Sequence, residues 1–341
     1  MSMFCYQCQE ALKNEGCVKK GVCGKDEETA SLQDALIHAL KGLSLYARRA
    51  RSAGMADDCG PLVTDALFVT VTNVNFDAPG IATWITRVLD ARDGLRDRLA
   101  AAGIDVSDIR HDSALWTDDP TDFARHGAAW GVLSQPDPDI RSLRELLIYG
   151  IKGIAAYSHH ARMLKKTDPA VDSFLQDALA ATTDELSVNE LIGMVMQAGS
   201  TAVTAMAMLD AAHTETYGHP QITTVQLGVR NHPGILISGH DLKDLEQLLE
   251  QTAGSGVDVY THGEMLPAHY YPAFSKYTHL AGNYGGAWYE QKKEFAAFNG
   301  PILMTTNCIV PPSKDYLHRF FTTGVAGYPG AVHISADAAG R

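Results

Sequence analysis

Four cysteines stand within the first 23 residues, spaced Cys5-x2-Cys8-x8-Cys17-x5-Cys23. A Cys-x2-Cys pair aims two thiolates at one centre, and the further two cysteines let one short loop wrap a compact group. Gly16, Gly21 and Gly24 permit the tight turns that such wrapping needs. Four thiolates serve [2Fe–2S] and [4Fe–4S] clusters. Structural zinc accepts the same donors, although zinc ribbons more often carry two close knuckles on hairpins, and the last spacing here is five residues. Free or disulfide-bonded thiols are the third reading. Six cysteines are too few for a disulfide scaffold in 341 residues, and their crowding at one end fits metal binding in a reducing compartment, by default the cytoplasm.

Three further donors share one kind of position. His240 follows the apolar run Gly234–Gly239, Glu264 follows 257–263, and Cys308 follows 301–307. Each stands just past the carboxyl end of an expected strand, the edge at which open α/β sheets bind ligands. An imidazole, a carboxylate and a thiolate converging there would make a mixed N/O/S metal site. Taken singly, His240 could be a surface or capping residue, Glu264 a helix cap, and Cys308 a small buried hydrophobe. His262, Tyr260 and Tyr284 could add proton-transfer groups, although tyrosines in β-rich segments commonly pack. Cys59 has no partner nearby in the sequence and reads as incidental.

The elements that must position these residues fall into three stretches. Residues 1–28 are Cys- and Gly-rich without periodicity. Residues 29–219 read as a helical domain, with Leu32, Leu36, Leu40 and Leu43 at amphipathic spacing. SLQDALIHALKGLSLYARRA at 31–50 aligns with SLRELLIYGIKGIAAYSHHA at 142–161, offset by 111 residues. Lys41 matches Lys152, Tyr46 matches Tyr157, and Asp34 corresponds to Glu145 with its charge kept. Asp65-Ala66-Leu67 and Asp177-Ala178-Leu179 each read as the opening of a further helix. Two repeated bundles follow, about 29–100 and 140–217; the plainer alternative is two unrelated helices built from common helix formers. Gly103–Pro138, acidic and Pro-rich, reads as an exposed connection. From 220 to 341, apolar β-rich runs at Ile222–Val229, Gly234–Ser238, Val257–Thr261 and Pro301–Thr305 alternate with helical or mixed segments, among them Asp241–Thr252. That alternation predicts a Rossmann-like α/β domain with a mainly parallel sheet, so the fold class is multidomain, α and then α/β.

The composition excludes some roles. A net charge of -12, from 40 acidic and 28 basic side chains, repels phosphate backbones, so nucleic acid is not an expected partner. No run of eighteen apolar residues and no secretory signal occur, so no membrane partner is expected.

The chain resembles the hybrid cluster proteins, also called hydroxylamine reductases or prismane proteins, of anaerobic bacteria. The resemblance is carried by FCYQCQEALKNEGCVKKGVCGKDEETA at 4–30, SLRELLIYGIKGIAAY at 142–157, NHPGILISGHDLKDLEQLLEQTAGSGVDVYTHGEMLPAHYYPAF at 231–274 and NGPILMTTNCIVPP at 299–312. It implies a [4Fe–4S] cluster on Cys5, Cys8, Cys17 and Cys23. It also implies that His240, Glu264 and Cys308 ligate a second, hybrid [4Fe-2O-2S] cluster. The implied fold is a helical domain of two three-helix bundles followed by Rossmann-like domains, related to carbon monoxide dehydrogenases. The implied activities are reduction of hydroxylamine to ammonia and water, reduction of nitric oxide, and protection against nitrosative and peroxide stress. A small N–O substrate and an external electron-donor protein are the implied partners.

The resemblance covers two of the family's three domains. Its third domain supplies three more cysteines and a second glutamate to the hybrid cluster, and no cysteine follows Cys308 here. The chain is therefore expected to be the N-terminal part of a longer protein, or a truncated form, whose hybrid site needs the missing domain. A cluster-binding electron-transfer module without turnover of its own is the alternative. A carbon monoxide dehydrogenase relative, which nickel analysis would reveal, is the weaker third reading.

Overall fold

Helix α1 (Glu27–Ser52) starts where the sequence supplies a cap: the Asp26 carboxylate accepts the Thr29 N–H at 2.9 Å, and Glu27 and Glu28 occupy the positive first turn. Its leucine stripe, Leu32, Leu36, Leu40 and Leu43, is buried together with Ala35 and Ala39. The helices α2 (Gly60–Val69) and α3 (Ala78–Ala101) follow, then the short α4 (Asp112–Leu115) and α5 (Phe123–Trp130). The long helix α6 (Pro138–Met163) precedes α7 (Pro169–Ala181) and α8 (Val188–Tyr217). The protein is described by a computed structural model in which residues 3–335 are placed; the Gly/Ala-rich stretch up to Arg341 lies outside the described residues.

The chain folds as two compact units, one of Met1–Val71, Asp77–Arg162 and Thr167–Leu209, the other of Thr72–Phe76, Met163–Lys166 and Asp210–Arg341. In the first unit the repeat is three-dimensional: α1, α2 and α3 recur as α6, α7 and α8. The two copies exchange equivalent ion pairs. Arg51 at the end of α1 binds Asp177 of α7, and Arg162 at the end of α6 binds Asp65 of α2. Residue i meeting j while the duplicate of j meets the duplicate of i is the signature of an isologous, two-fold contact. That reciprocity is what a duplicated bundle predicts. Arg51 also reaches Asp57 at 2.9 Å and Gln176. Arg51→Ala is expected to cost about 1–2 kcal/mol, read as a lowered midpoint in chemical denaturation, with helical content unchanged under native conditions.

One local expectation needs correction and a second needs refining. Asp65-Ala66-Leu67 and Asp177-Ala178-Leu179 lie inside α2 and α7 rather than opening them. The helices begin earlier, where Pro61 and Pro169 occupy the first turn and Asp168 caps α7 by accepting the Ala170 N–H at 2.8 Å. The stretch 103–138 is largely exposed, as expected, but a few buried residues anchor it. Trp116 and Phe123 are buried, with Trp116 edge-on to Phe123 at 5.1 Å and to Trp130 at 4.6 Å. Helix α5 approaches α1 so closely that a Cβ on Gly127 would lie 1.8 Å from the Ser31 carbonyl oxygen. Aspartates and prolines recur along this stretch, but a few aromatics anchor it.

Helix α8 contains no run of eighteen apolar residues, yet by length and mean composition alone it could cross a bilayer, the one such helix among the described residues. It presents Met196 and Val203 to the exterior.

The second unit is built on a six-stranded sheet in the order β3-β2-β1-β4-β5-β6, parallel throughout. The strands are β1 (Gly234–Ser238), β2 (Asp258–His262), β3 (Leu280–Asn283), β4 (Ile302–Met304), β5 (Phe320–Thr323) and β6 (Val332–Ile334). Helix α9 (Leu242–Thr252) follows β1, capped by Asp241 as expected, and α10 (Gln291–Ala297) precedes β4. Leu236, Ile237, Val259 and Ile302 are wholly buried, which is why β1, β2 and β4 read as continuous apolar runs. The expected strand at Ile222–Val229 is not one. That segment runs extended and exposed, and Gln226 accepts the Asn283 N–H at 2.9 Å without opening a ladder. Its alternating residues have strand propensity but no sheet edge in register with them.

Candidate metal centres

The N-terminal cysteines are drawn together by a short antiparallel pairing. Cys5 N–H donates to the Cys17 carbonyl at 3.1 Å, and Cys17 N–H returns the bond to Cys5 at 2.8 Å. Met3, Cys17 and Ala30 pack beneath as a small apolar cluster that joins this loop to the start of α1. All four thiols are free. Burial pushes the Cys8 thiol above its ordinary range; a backbone hydrogen bond at Glu10 opposes this, and the charges of Cys23, Cys5 and Cys17 add to it. The Cys8 thiol thus feels the charge of the other three. Four thiolates in one short loop repel one another unless a cation compensates them, and such a donor set fits an iron–sulfur group.

In the second unit, register brings the other three donors to one edge. Ser238 of β1 is paired with His262 of β2, so His240 and Glu264 each stand two residues beyond a matched pair. Ser238 is also paired with Met304 of β4, and Cys308 follows four residues later. The order β2-β1-β4 makes the three strands neighbours, and the chain reverses its direction of sheet growth between β1 and β4. His240 and Cys308 flank that switch point, where doubly wound sheets open a crevice.

Local hydrogen bonds hold the donors. Thr306 Oγ1 accepts the His240 N–H at 2.9 Å and lies 3.0 Å from His240 Nδ1, which ties the turn after β1 to the turn after β4. Gly239 lets this happen: its φ is +119°, and a Cβ there would meet Thr305 Oγ1 at 2.3 Å and the Thr306 nitrogen at 2.7 Å. Gln291 Nε2 donates to the Cys308 carbonyl at 2.7 Å. Burial raises the Cys308 thiol; a hydrogen bond from Asn307 opposes the rise, and the charge of Glu264 reinforces it. Glu264 is exposed, on the 3-10 turn Gly263–Tyr270. A thiol kept protonated by burial and a nearby carboxylate gains from a cation placed between them, so the mixed donor set also fits a metal.

Other candidates stand elsewhere. His262 is fully buried, its Nδ1 3.2 Å from Ser238 Oγ and its Nε2 2.8 Å from Glu294 Oε2, with Phe295 edge-on at 4.8 Å. It links β1, β2 and α10 rather than joining His240, Glu264 and Cys308. Tyr260 is buried and accepts the Arg230 N–H at 2.8 Å, and Tyr284 donates to the Glu294 carbonyl at 3.4 Å. Cys59 caps α2 and donates its thiol proton to the Asp57 carbonyl; burial pushes that thiol up to about 12. Thr306 and Glu294 were not singled out in the sequence. Thr306 could have been, from its place in the same strand-end run as Cys308, whereas Glu294 is 32 residues from His262 and carries no local signal.

Known proteins match this chain along its length. The sequence pattern of the prismane/CO dehydrogenase family matches residues 3–341. A hydroxylamine reductase of Halothermothrix orenii is 54% identical over 98% of this chain, and one of Nitratidesulfovibrio vulgaris is 53% identical over 99%. One from Desulfitobacterium hafniense is 52% identical over 100%. The chain spans only 62–63% of the length of these relatives. Among solved structures, a nickel-free carbon monoxide dehydrogenase from Thermococcus sp. AM4 aligns with 99% of this chain and 52% of its own, at 15% identity and a TM-score of 0.36. With the family pattern met almost end to end and relatives above half identity, the chain belongs to the prismane/CO dehydrogenase family.

Proposed function

We propose that this chain belongs to an iron–sulfur oxidoreductase of the hydroxylamine reductase type, acting on small N–O compounds: hydroxylamine, reduced to ammonia and water, and nitric oxide in defence against nitrosative stress. On this reading Cys5, Cys8, Cys17 and Cys23 hold a [4Fe–4S] cluster where an external donor protein delivers electrons. His240, Glu264 and Cys308 supply part of the ligand set of a hybrid [4Fe-2O-2S] cluster, whose other donors come from a third domain for which the greater length of the relatives leaves room. The family match favours an iron–sulfur group over zinc at the four cysteines. Free thiols throughout suit a reducing setting, the cytoplasm of an anaerobe.

When bound, such clusters supply single electrons and a Lewis-acidic iron. The residues of the chain do the positioning. Thr306 holds the His240 ring through Nδ1 and the His240 backbone through its N–H. Glu264, exposed on its turn, has room to change how it binds. His262 holds the ends of β1 and β2 to α10 through Ser238 and Glu294, and so keeps the strand edge in register.

The observation that carries this reading is the convergence of His240, Glu264 and Cys308 beyond neighbouring parallel strands at the switch in strand order. Replacing Glu264 by Gln in the full-length protein is expected to lower hydroxylamine-dependent ammonia formation on the order of 10–100-fold, with the N-terminal cluster signal intact; unchanged turnover would remove Glu264 from the scheme. Iron and sulfide counts separate the second reading. About four of each with one paramagnetic signal marks an electron-transfer module, and a clear excess of iron with a second signal marks the enzyme.

A further inference from the structure

The internal duplication does more than repeat a bundle. Asp34 and Lys41 stand seven residues apart on α1, and Glu145 and Lys152 stand seven apart at the duplicate positions of α6. Seven residues are about two helical turns, so each acid and base share one face of their helix. In the first unit all four line one cavity of about 40 Å³, and Cys5 and Gln7 line it too. A cavity of that size holds about three water molecules at ~10–15 Å³ each. Lys152 is buried and donates to Gln7 Oε1 and to the Thr70 carbonyl, each at 3.4 Å. Asp34, Lys41 and Glu145 lie deep within protein and yet keep intermediate exposure, because the space they touch is the cavity itself. Among the described residues these three close no direct ion pair with one another; their charges act across the cavity.

We propose that this cavity is a hydrated proton-holding site for electron entry: Asp34 and Glu145 share a proton that the protein takes up when the group on the neighbouring cysteines gains an electron. The inference rests on the four-cysteine cluster reading above. The exchange balances: a low-potential one-electron donor gives one electron, solvent gives one proton to a cavity carboxylate, and the net charge of the unit does not change. No other bond forms or breaks.

Three features support it. A charge placed at Cys5 is felt at Lys152 and Tyr149, and both of these feel Asp34 and Glu145. Burial lifts Asp34 to about 7 and also raises Glu145, so a proton moves on or off near neutrality. The groups facing Asp34 are Lys152 and Glu145 from α6, Lys25 from the segment before α1, and Lys41 from α1. Arg144 of α6 acts on Lys41 in turn, and His38, which also lines the cavity, is driven down to about 3 by burial and stays neutral. On the α5 side the lining is Trp130 and Gly131, which bring no charge.

The sign follows. Reduction adds negative charge beside the cavity and strengthens its hold on a proton, so the midpoint potential falls as pH rises from about 7. Below that pH the carboxyl is already protonated and the dependence fades. The test is a potentiometric titration from pH 6 to 9 on the anaerobically prepared chain, after its iron and sulfide have been counted. The expected slope approaches ~59 mV per pH unit, the one-electron equivalent of a tenfold change in proton activity. Asp34→Asn combined with Glu145→Gln flattens it. Lys41→Met, which removes a charge favouring the ionised carboxylates, moves the sloping region to higher pH and guards against a poorly folded double variant. A second readout needs no cluster: the infrared carbonyl band of a protonated carboxyl near pH 7 in the metal-free chain, lost in Asp34→Asn. A cluster-loaded chain whose potential ignores pH, or a slope that survives the double substitution, overturns the proton site alone. A chain that binds no iron overturns the cluster reading and this inference with it.

Discussion

Cys17→Ser is expected to abolish the N-terminal cluster, lowering iron by about four per chain and removing the associated visible absorbance and paramagnetic signal. Cys17 combines burial with backbone pairing. It is the buried member of the set, packed with Met3 and Ala30, and its backbone exchanges both bonds with Cys5. On the proposed four-iron reading, losing its thiolate leaves three donors, while the pairing with Cys5 survives because serine keeps the backbone. The helical unit should therefore keep its circular dichroism. A variant retaining full iron would show that the four cysteines are not the ligand set.

Gly239→Ala is expected to act on the second site with comparable force. At φ +119° an alanine is strained, and its Cβ would meet Thr305 and Thr306 inside contact distance. Strain of this kind costs about 1–3 kcal/mol, and forced overpacking adds about 1–3 kcal/mol more. Relief requires β1 to separate from the turn after β4, which breaks both bonds from His240 to Thr306. The outcome to measure is a loss of unfolding free energy in denaturant, together with loss of the second iron signal in the full-length protein and retention of the first. Wild-type stability with both signals present would show that the Gly239 turn does not hold the site.

These two sites were legible in the sequence to different depths. The cysteine spacing could be read directly because all four donors lie in one short segment, whose geometry is local. The duplication was legible because α1 and α6 keep the same apolar stripe, and the charges at Asp34, Glu145, Lys41 and Lys152 came with it. The strands β1, β2 and β4 were visible as apolar runs because a parallel sheet buries both faces of its inner strands. The edge strands β3 and β6, and β5 beside β6, are partly exposed, and Ile222–Val229 has strand-like residues without joining the ladder.

The sequence by itself determined which side chains are available as donors, where α1 and β1 begin, and that the helical half is built twice. Only the tertiary structure decided which of these meet. Strand order and register, set by packing over distances of 24 to 66 residues, put His240, Glu264 and Cys308 on one edge and turned His262 inward to Glu294. The reciprocal pairing of Arg51 with Asp177 and Arg162 with Asp65 likewise turned a linear repeat into a two-fold object, and so brought four ionisable groups to one cavity beside Cys5. Local propensity cannot encode such meetings, because the free energy that fixes them comes from burial shared between segments distant in the chain.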